Sequence, residues 1–371
     1  MPTVSSLPPE LYFIGPPTWN DQLGSWWVTR YAGVQEVLTA PGLSAEYVTA
    51  AEREQHTPLM SGPQAADGER HRRLRAAIAD RFSPAAVERL RPIITGIAQD
   101  LADQLAGTSG PTDLGAAFTR PLPAQVICAI LGLDQEAAGR VWGWIEADLF
   151  SSPATSMVGP QADQWAFWRQ LLSERRRQRQ GPGLLDELAA NPTLDDHDVI
   201  GLLAILMHAG MATTTAVLTS AIAQLDANGL LAAGVDHAAV SAIIRETLRT
   251  DPPFPFVRRR ALEDLKIDGQ PIQAGEWVTG CILAAHHDPD RWPDPHRFRL
   301  DRPPGIEDLA FGRGVHRCAG VNLAWVELEI GLQVLLGIDG LRVDPAATLT
   351  RPWPSYLPML TGLSVIVGPS K

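Results

Sequence analysis

Phe311-Gly312-Arg313-Gly314-Val315-His316-Arg317-Cys318-Ala319-Gly320 is the stretch that decides the reading of this chain. It stands directly before an apolar run with helical spacing, Val321 to Leu336. Cysteine is scarce, three in 371 residues, and Cys128, Cys281 and Cys318 lie far apart. An odd, dispersed set is no disulfide framework and points to a reducing, cytoplasmic setting. The glycines at 312, 314 and 320 permit backbone conformations that side chains forbid, or very close approach of another group. Cys318 therefore reads either as a small buried hydrophobe or as a thiolate held beneath a flat partner, with backbone N–H groups turned to its sulfur.

The whole chain bounds the choice. A hydrophobic content of 45% with 20% charged residues is that of an ordinary globular protein, large enough to enclose a sizeable cofactor. No Gly/Ser linker, low-complexity block or repeat divides it, so one large domain over 1–371 is expected. With 31 basic and 42 acidic residues, the net charge of −11 argues against a nucleic-acid partner. The start, Met1 to Pro9, has no signal-peptide character. No apolar run is read as reaching the ~20 residues of a membrane helix, so no membrane partner is expected.

Elements follow from local signals. Trp26 to Leu38 reads as a strand and then a helix, 55–67 as a loop, and 68–82 as an Arg-rich helix. Ser83-Pro84 is an N-cap with proline at the first helical position. Pro121 to Leu133 is an apolar helix closed by glycine. Residues 160–180, Asp195 to about Leu225 and Val240 to Thr250 are further helices. Residues 256–285 alternate as strands around Asp268-Gly269, a hairpin signal, and Leu363 to Val367 is a last strand.

The loop at 311–320 resembles the haem-binding loop of the cytochrome P450 family, Phe-Gly-x-Gly-x-His/Arg-x-Cys-x-Gly, with every fixed position filled. The resemblance runs over nearly the whole chain. It implies a mainly α fold with a minor β region, and haem b with its iron on Cys318, framed by Phe311, Gly312 and Gly320. Haem iron is one of the few centres that takes a lone cysteine thiolate as axial ligand, and the sulfur's electron push favours O–O cleavage.

Three further segments carry the likeness. In Glu246-Thr247-Leu248-Arg249 the acid and base share a helix face at i and i+3. The resemblance makes them a structural brace on the cysteine side of the haem, with Arg297 and Arg299 as candidate partners. In His71-Arg72-Arg73-Leu74-Arg75, His71 and Arg75 share a face at i and i+4. The resemblance gives them, with Arg259 of the Arg258-Arg259-Arg260 run and with His316, the two haem propionates, anions that want converging cations. The plain alternative is a solvated basic face. In Leu206 to Thr215, Ala209 and Gly210 are small enough for a flat group to approach. The Thr213 hydroxyl can bond back to a carbonyl and open a groove. That segment resembles the family's oxygen-binding stretch, with Thr213 in the threonine position.

One position departs. Where the family pattern has an acid, this chain has Ala212, which cannot relay a proton. A water chain or substrate group could replace the acid, the reaction could be a ring closure or coupling less reliant on it, or peroxide could be used directly. His208, at i−4 from Ala212, is a substitute only in principle; a lone histidine in an apolar helix is more often packed.

The resemblance thus implies a monooxygenase that activates dioxygen to hydroxylate, cyclise or couple an apolar or aromatic small molecule in specialised metabolism. The alternatives are a peroxide-using haem-thiolate enzyme and a non-catalytic haem-binding or sensor protein. Substrate contacts are expected among Leu59, Met60, Phe150, Trp165, Phe167, Trp168, Met207, Met211, Phe254 and Phe256, although for any single one of them plain core packing is the commoner role. Electrons would come from a ferredoxin-type donor with its reductase, steered by Arg70, Arg72, Arg73, Arg313 and Arg317 on the cysteine side.

Overall fold

The structure is a computed structural model that describes residues 7–49, 51–151, 161–178, 181, 183–234, 236–303, 308–353 and 355–368. Twelve helices are assigned among them: α1 (Tyr31–Thr39), α2 (Gly68–Ala79), α3 (Pro84–Ala106), α4 (Pro121–Leu131), α5 (Gln135–Ser151), α6 (Ala162–Arg177), α7 (Leu184–Ala190), α8 (Asp196–Ala227), α9 (Leu230–Ala233), α10 (Val240–Thr250), α11 (Ile282–Ala285) and α12 (Val321–Leu336). Ten short strands accompany them: β1 (Thr18–Asn20), β2 (Ser25–Val28), β3 (Leu43–Ser44), β4 (Thr112–Asp113), β5 (Phe256–Ala261), β6 (Leu265–Ile267), β7 (Gln270–Ile272), β8 (Trp277–Cys281), β9 (Arg342–Val343) and β10 (Ser364–Ile366). The fold is mainly α with a minor β region, as expected.

Capping grammar sets the helix starts. The Ser83 hydroxyl accepts from Ala86 N before Pro84, and Asp195 accepts from Asp198 N at the head of α8. Each satisfies an amide left without an intrahelical partner. Asp268 and Gly269, with φ of 48° and 81°, make the hairpin turn between β6 and β7. The flanking strands β5 and β8 pair with each other in the five-stranded sheet β1-β2-β8-β5-β3. Residues 282–285, expected as strand, form α11, because Cys281 caps a single helical turn there.

Helix α8 is the axis of the core and packs on α4, α5, α6, α10 and α12. It is also long and apolar enough to cross a membrane, which corrects the expectation that no run reaches that length. Its apolar stretch is 72% buried inside the protein, as in a helix surrounded by other helices.

Candidate active site

The Cys318 loop is shaped by backbone geometry. Cys318 N donates to the Phe311 carbonyl at 2.8 Å and closes the loop into a ring. Gly312 and Gly314 take φ of +66° and +67°, the left-handed region where a β-carbon is strained. At Gly314 a β-carbon would also come within 3.2 Å of the Leu38 carbonyl of α1. Gly320 has an ordinary φ of −90°, so its use is not conformational; the space where its side chain would stand is open.

The Cys318 thiol is exposed to solvent, while Cys128 and Cys281 are buried; no disulfide occurs among the described residues. Yet surrounding protein raises the Cys318 pKa. The Gly320 N–H, Arg75 and Arg317 pull it back towards the thiolate. A sulfur that solvent reaches while protein crowds it lines a hollow. By contrast, burial drives Cys128 to about 11 and Cys281 to about 12, so those are packing residues.

Two of the residues expected to meet the propionates stand by this loop, Arg75 beside Cys318 and His71 beside His316. His71 is buried on α2, and its ring centroid lies 4.4 Å from that of His316. Burial, His316 and Arg75 together lower its pKa to about 4, so it is neutral at pH 7. Arg75 feels the charge of Cys318 and is itself lowered by burial. Arg259 is buried, and its Nη1 donates at 2.9 Å to the Arg258 carbonyl. Neither Arg75 nor Arg259 has a carboxylate partner among the described residues. Two shielded guanidiniums without counter-ions suit an anionic ligand. One ring nitrogen of His316, Nε2, lies 2.9 Å from Asp67 Oδ1. The other Asp67 oxygen accepts from Ser44 Oγ at 2.6 Å and Ala45 N at 2.9 Å. Burial opposes the charge on Asp67, but these donors hold its pKa at about 2. Sequence alone offered no signal for Asp67 beyond its place before a helix.

On α8, Ala209, Gly210 and Thr213 form a half-exposed stripe in an otherwise buried helix. The Thr213 hydroxyl donates to the Ala209 carbonyl at 2.7 Å, the expected back-bond. Gly210 differs from expectation, since its missing side chain would point to Ile127 of α4 at 3.4 Å. Ala212 is fully buried. His208 is packed: its Nε2 lies 2.7 Å from the Tyr356 hydroxyl, and burial lowers its pKa to about 4. The next threonine, Thr214, donates to Glu327 Oε2 of α12 at 3.1 Å. Glu327 was not anticipated, although a carboxylate on the apolar stripe of Val321 to Leu336 was a visible signal.

Several expectations are corrected. The side chain that reaches Glu246 is Arg302, at 2.8 Å, and neither Arg297 nor Arg299. Arg299 offers only its backbone N–H, at 2.9 Å, because its guanidinium turns outward to Asp294 and Asp301. Arg70 and Arg73 are paired with the buried Asp198 at 3.0 and 2.7 Å, tying α2 to α8, and are not part of a free basic patch. Of the residues read either as pocket wall or as core, Leu59, Met60, Trp165, Trp168, Met207 and Met211 are buried in the core. Phe167, Phe254 and Phe256 are partly exposed, and the Phe150 side chain lies outside the described residues.

Comparison with known proteins completes this picture. The family model for Cytochrome P450 matches residues 238–337. Mycinamicin IV hydroxylase/epoxidase of Micromonospora griseorubida is 31% identical over 346 residues, covering 88% of this chain and 85% of that protein. This chain belongs to the cytochrome P450 family. Cytochrome P450 monooxygenase PikC of Streptomyces venezuelae is 32% identical over 362 residues, covering 92% and 84%. A solved mutant of P450 EryK with erythromycin B superposes with a TM-score of 0.83 at 28% identity, over 96% of this chain and 93% of that one. The chain is accordingly an enzyme of the P450 monooxygenase type, and the family implies a haem-thiolate centre on a cysteine.

Proposed function

We propose that Cys318 is the thiolate ligand of haem b and that His71, Arg75, Arg259 and His316 receive its propionates. Phe311, Gly312 and Gly320 would frame the metal side, and Ala209, Gly210 and Thr213 the dioxygen side. The observation that carries this reading is the crowded yet solvent-reached Cys318 thiol, with Arg75 and Arg317 beside it and the Gly320 N–H on its sulfur. When bound, the haem supplies the redox chemistry of dioxygen activation. The chain's own residues hold and orient it. The Arg75 and Arg259 guanidiniums neutralise the carboxylates, the Gly320 N–H stabilises the thiolate, and the Thr213–Ala209 back-bond opens the helix to water.

The residues over 1–371 act as one unit in this proposal. The substrate is an apolar or aromatic small molecule of specialised metabolism, a class supported by the partly exposed Phe167, Phe254 and Phe256 and by relatives named for mycinamicin and erythromycin. The electron donor is an acidic ferredoxin with its reductase, docking near exposed Arg72 and Arg317, and the setting is cytoplasmic. The buried, apolar Ala212 favours a second reading, direct use of peroxide.

A reduced, carbon-monoxide-treated absorption spectrum tests the ligand. The expected result is a thiolate band that disappears in Cys318→Ser; a histidine-type band in the wild type would overturn it. Ligand-induced shifts of the haem spectrum then identify substrates. Turnover with peroxide but not with ferredoxin and NADPH would move the assignment to the second reading.

A further inference from the structure

The three partly exposed phenylalanines of the substrate proposal differ in what covers them. The Phe167 ring is met by Trp144 at 5.4 Å and Trp168 at 4.9 Å, and the Arg140 guanidinium stands over it. Phe256 lies within β5 and leans on Trp27 of the same sheet, tilted by 53°. Phe254 has one ring partner among the described residues, Tyr356, with centroids 6.3 Å apart and planes 19° from parallel. This offset stack covers one face of Phe254 and leaves the other.

Behind Phe254 stands a fixed column. Tyr356 lies in turn over His208 of α8, with centroids 6.0 Å apart and planes 29° from parallel. The Tyr356 hydroxyl and His208 Nε2 meet at 2.7 Å, and both side chains are buried. A buried hydroxyl and a buried imidazole each need a partner, so the Tyr356 ring cannot swing away without leaving two polar groups unpaired. His208 directly precedes Ala209, the first residue of the half-exposed stripe of α8. Phe254 lies midway in sequence between Arg249 of the proximal brace and Arg259 of the anion site. The column thus joins the flank of the stripe to the segment that carries Arg259. A ring held from behind in this way gives up little freedom when a ligand lies on it, so stacking is gained at low entropic cost. An aliphatic ligand of the same size would gain burial there but no stacking.

We propose that Phe254 is the stacking surface that selects substrates carrying a planar aromatic ring, with its uncovered face on the cleft between the α8 stripe and Arg259. Tyr356 and His208 are positioning residues that hold this surface. The proposal rests on the haem-thiolate reading above and narrows its substrate class from apolar or aromatic to planar aromatic.

The test uses the haem-loaded protein and two hydrocarbons with the same carbon skeleton: naphthalene, which is flat and aromatic, and decalin, which is neither. Dissociation constants are read from the ligand-induced shift of the haem spectrum, without turnover. Phe254→Leu keeps an apolar side chain but no ring. It should weaken naphthalene binding about three- to tenfold and leave decalin within about twofold of wild type. Phe254→Trp, which keeps a ring, should bind naphthalene as wild type does. Tyr356→Leu, which removes the ring beneath Phe254, should weaken naphthalene selectively, and Tyr356→Phe should do so less. Equal changes for the two hydrocarbons in Phe254→Leu, no change for either, or a wild type that does not bind naphthalene overturns the proposal. If Phe254→Leu does not fold, equal changes in a folded Tyr356→Leu do so. A wild type without the thiolate band under carbon monoxide is a separate outcome, which removes the parent reading itself.

Discussion

Arg302 grips Glu246 from outside the helix that carries it, its Nε 2.9 and 2.8 Å from the two carboxylate oxygens. Arg249 grips the same oxygens from within α10, at 2.8 and 2.7 Å, and its Nη1 donates to the His286 and Pro295 carbonyls. The result is a buried three-residue brace between α10 and the segment that leads into the Cys318 loop. Removing one member of a buried pair leaves an uncompensated charge, at about 3–5 kcal/mol. Glu246→Ala and Arg302→Ala should each lower stability on that scale in urea unfolding. Arg299→Ala should leave the midpoint near wild type, since that guanidinium meets only exposed aspartates. Equal losses in Arg299→Ala and Arg302→Ala would refute the partner assignment.

Asp67 joins three segments: His316 of the cysteine loop, Ser44 of β3 and its own position ahead of α2. Asp67→Ala would strip the Ala45 N–H, the Ser44 hydroxyl and His316 of one acceptor together. Hydrogen bonds to charged groups contribute about 1.5–3 kcal/mol. Part of that is discounted here, because the Asp67 side chain is 30% exposed. The expected outcome is a lower melting temperature with faster haem loss on gel filtration. Asp67→Asn, which keeps one acceptor, should fall between.

Acid should weaken this protein before its carboxylates titrate. Burial lowers His208 and His287 to about 4 and His286 to about 3 from an unfolded value of 6.5. The unfolded chain binds these protons first, so their contribution is complete above pH 6.5 and is lost as pH falls from 6.5 to about 4. Each adds up to about 1.4 kcal/mol per pH unit to the slope in that window. Glu327 works in the opposite sense. Its folded value of about 8 lies above its unfolded 4.5, so its contribution is present below 4.5 and is lost as pH rises to 8. Urea unfolding from pH 4 to 8.5 checks both: Glu327→Gln should flatten the limb above pH 6.5 and steepen the limb between about 4.5 and 6.5, where the glutamate and histidine effects oppose each other.

What could be read from sequence was what neighbours along the chain decide. Ser83 and Asp195 cap because their own oxygens reach amides three residues on, and Asp268-Gly269 turns because of its own φ angles. The loop around Cys318 has the same character, since Gly312 and Gly314 set it. Choices between equivalent partners were not legible. Arg299 and Arg302 differ by three residues, and only the docked segment decides which guanidinium points inward. The arginines of α2 look alike in sequence, yet Arg70 and Arg73 are claimed by Asp198, over a hundred residues away. Helix α8 is buried on most sides, so the amphipathic signal that would mark it as a core helix is weak.

Arg75 and Arg259 provide a test of the anion site that does not depend on turnover. Both are shielded from water, and neither has a carboxylate among the described residues, so each is a cation held where its charge is costly. A group kept for folding would lose stability when removed. A group kept for a bound anion should behave otherwise: Arg75→Leu should leave the haem-free protein as stable as wild type, or more so. Its loss should appear in haem affinity. A charge-assisted bond of about 1.5–3 kcal/mol corresponds to roughly a ten- to hundredfold weaker Kd. Haem titration followed by tryptophan quenching, beside melting of the haem-free variants, reads the two effects separately. Destabilised haem-free protein with unchanged haem affinity would show that Arg75 serves the fold and not the ligand.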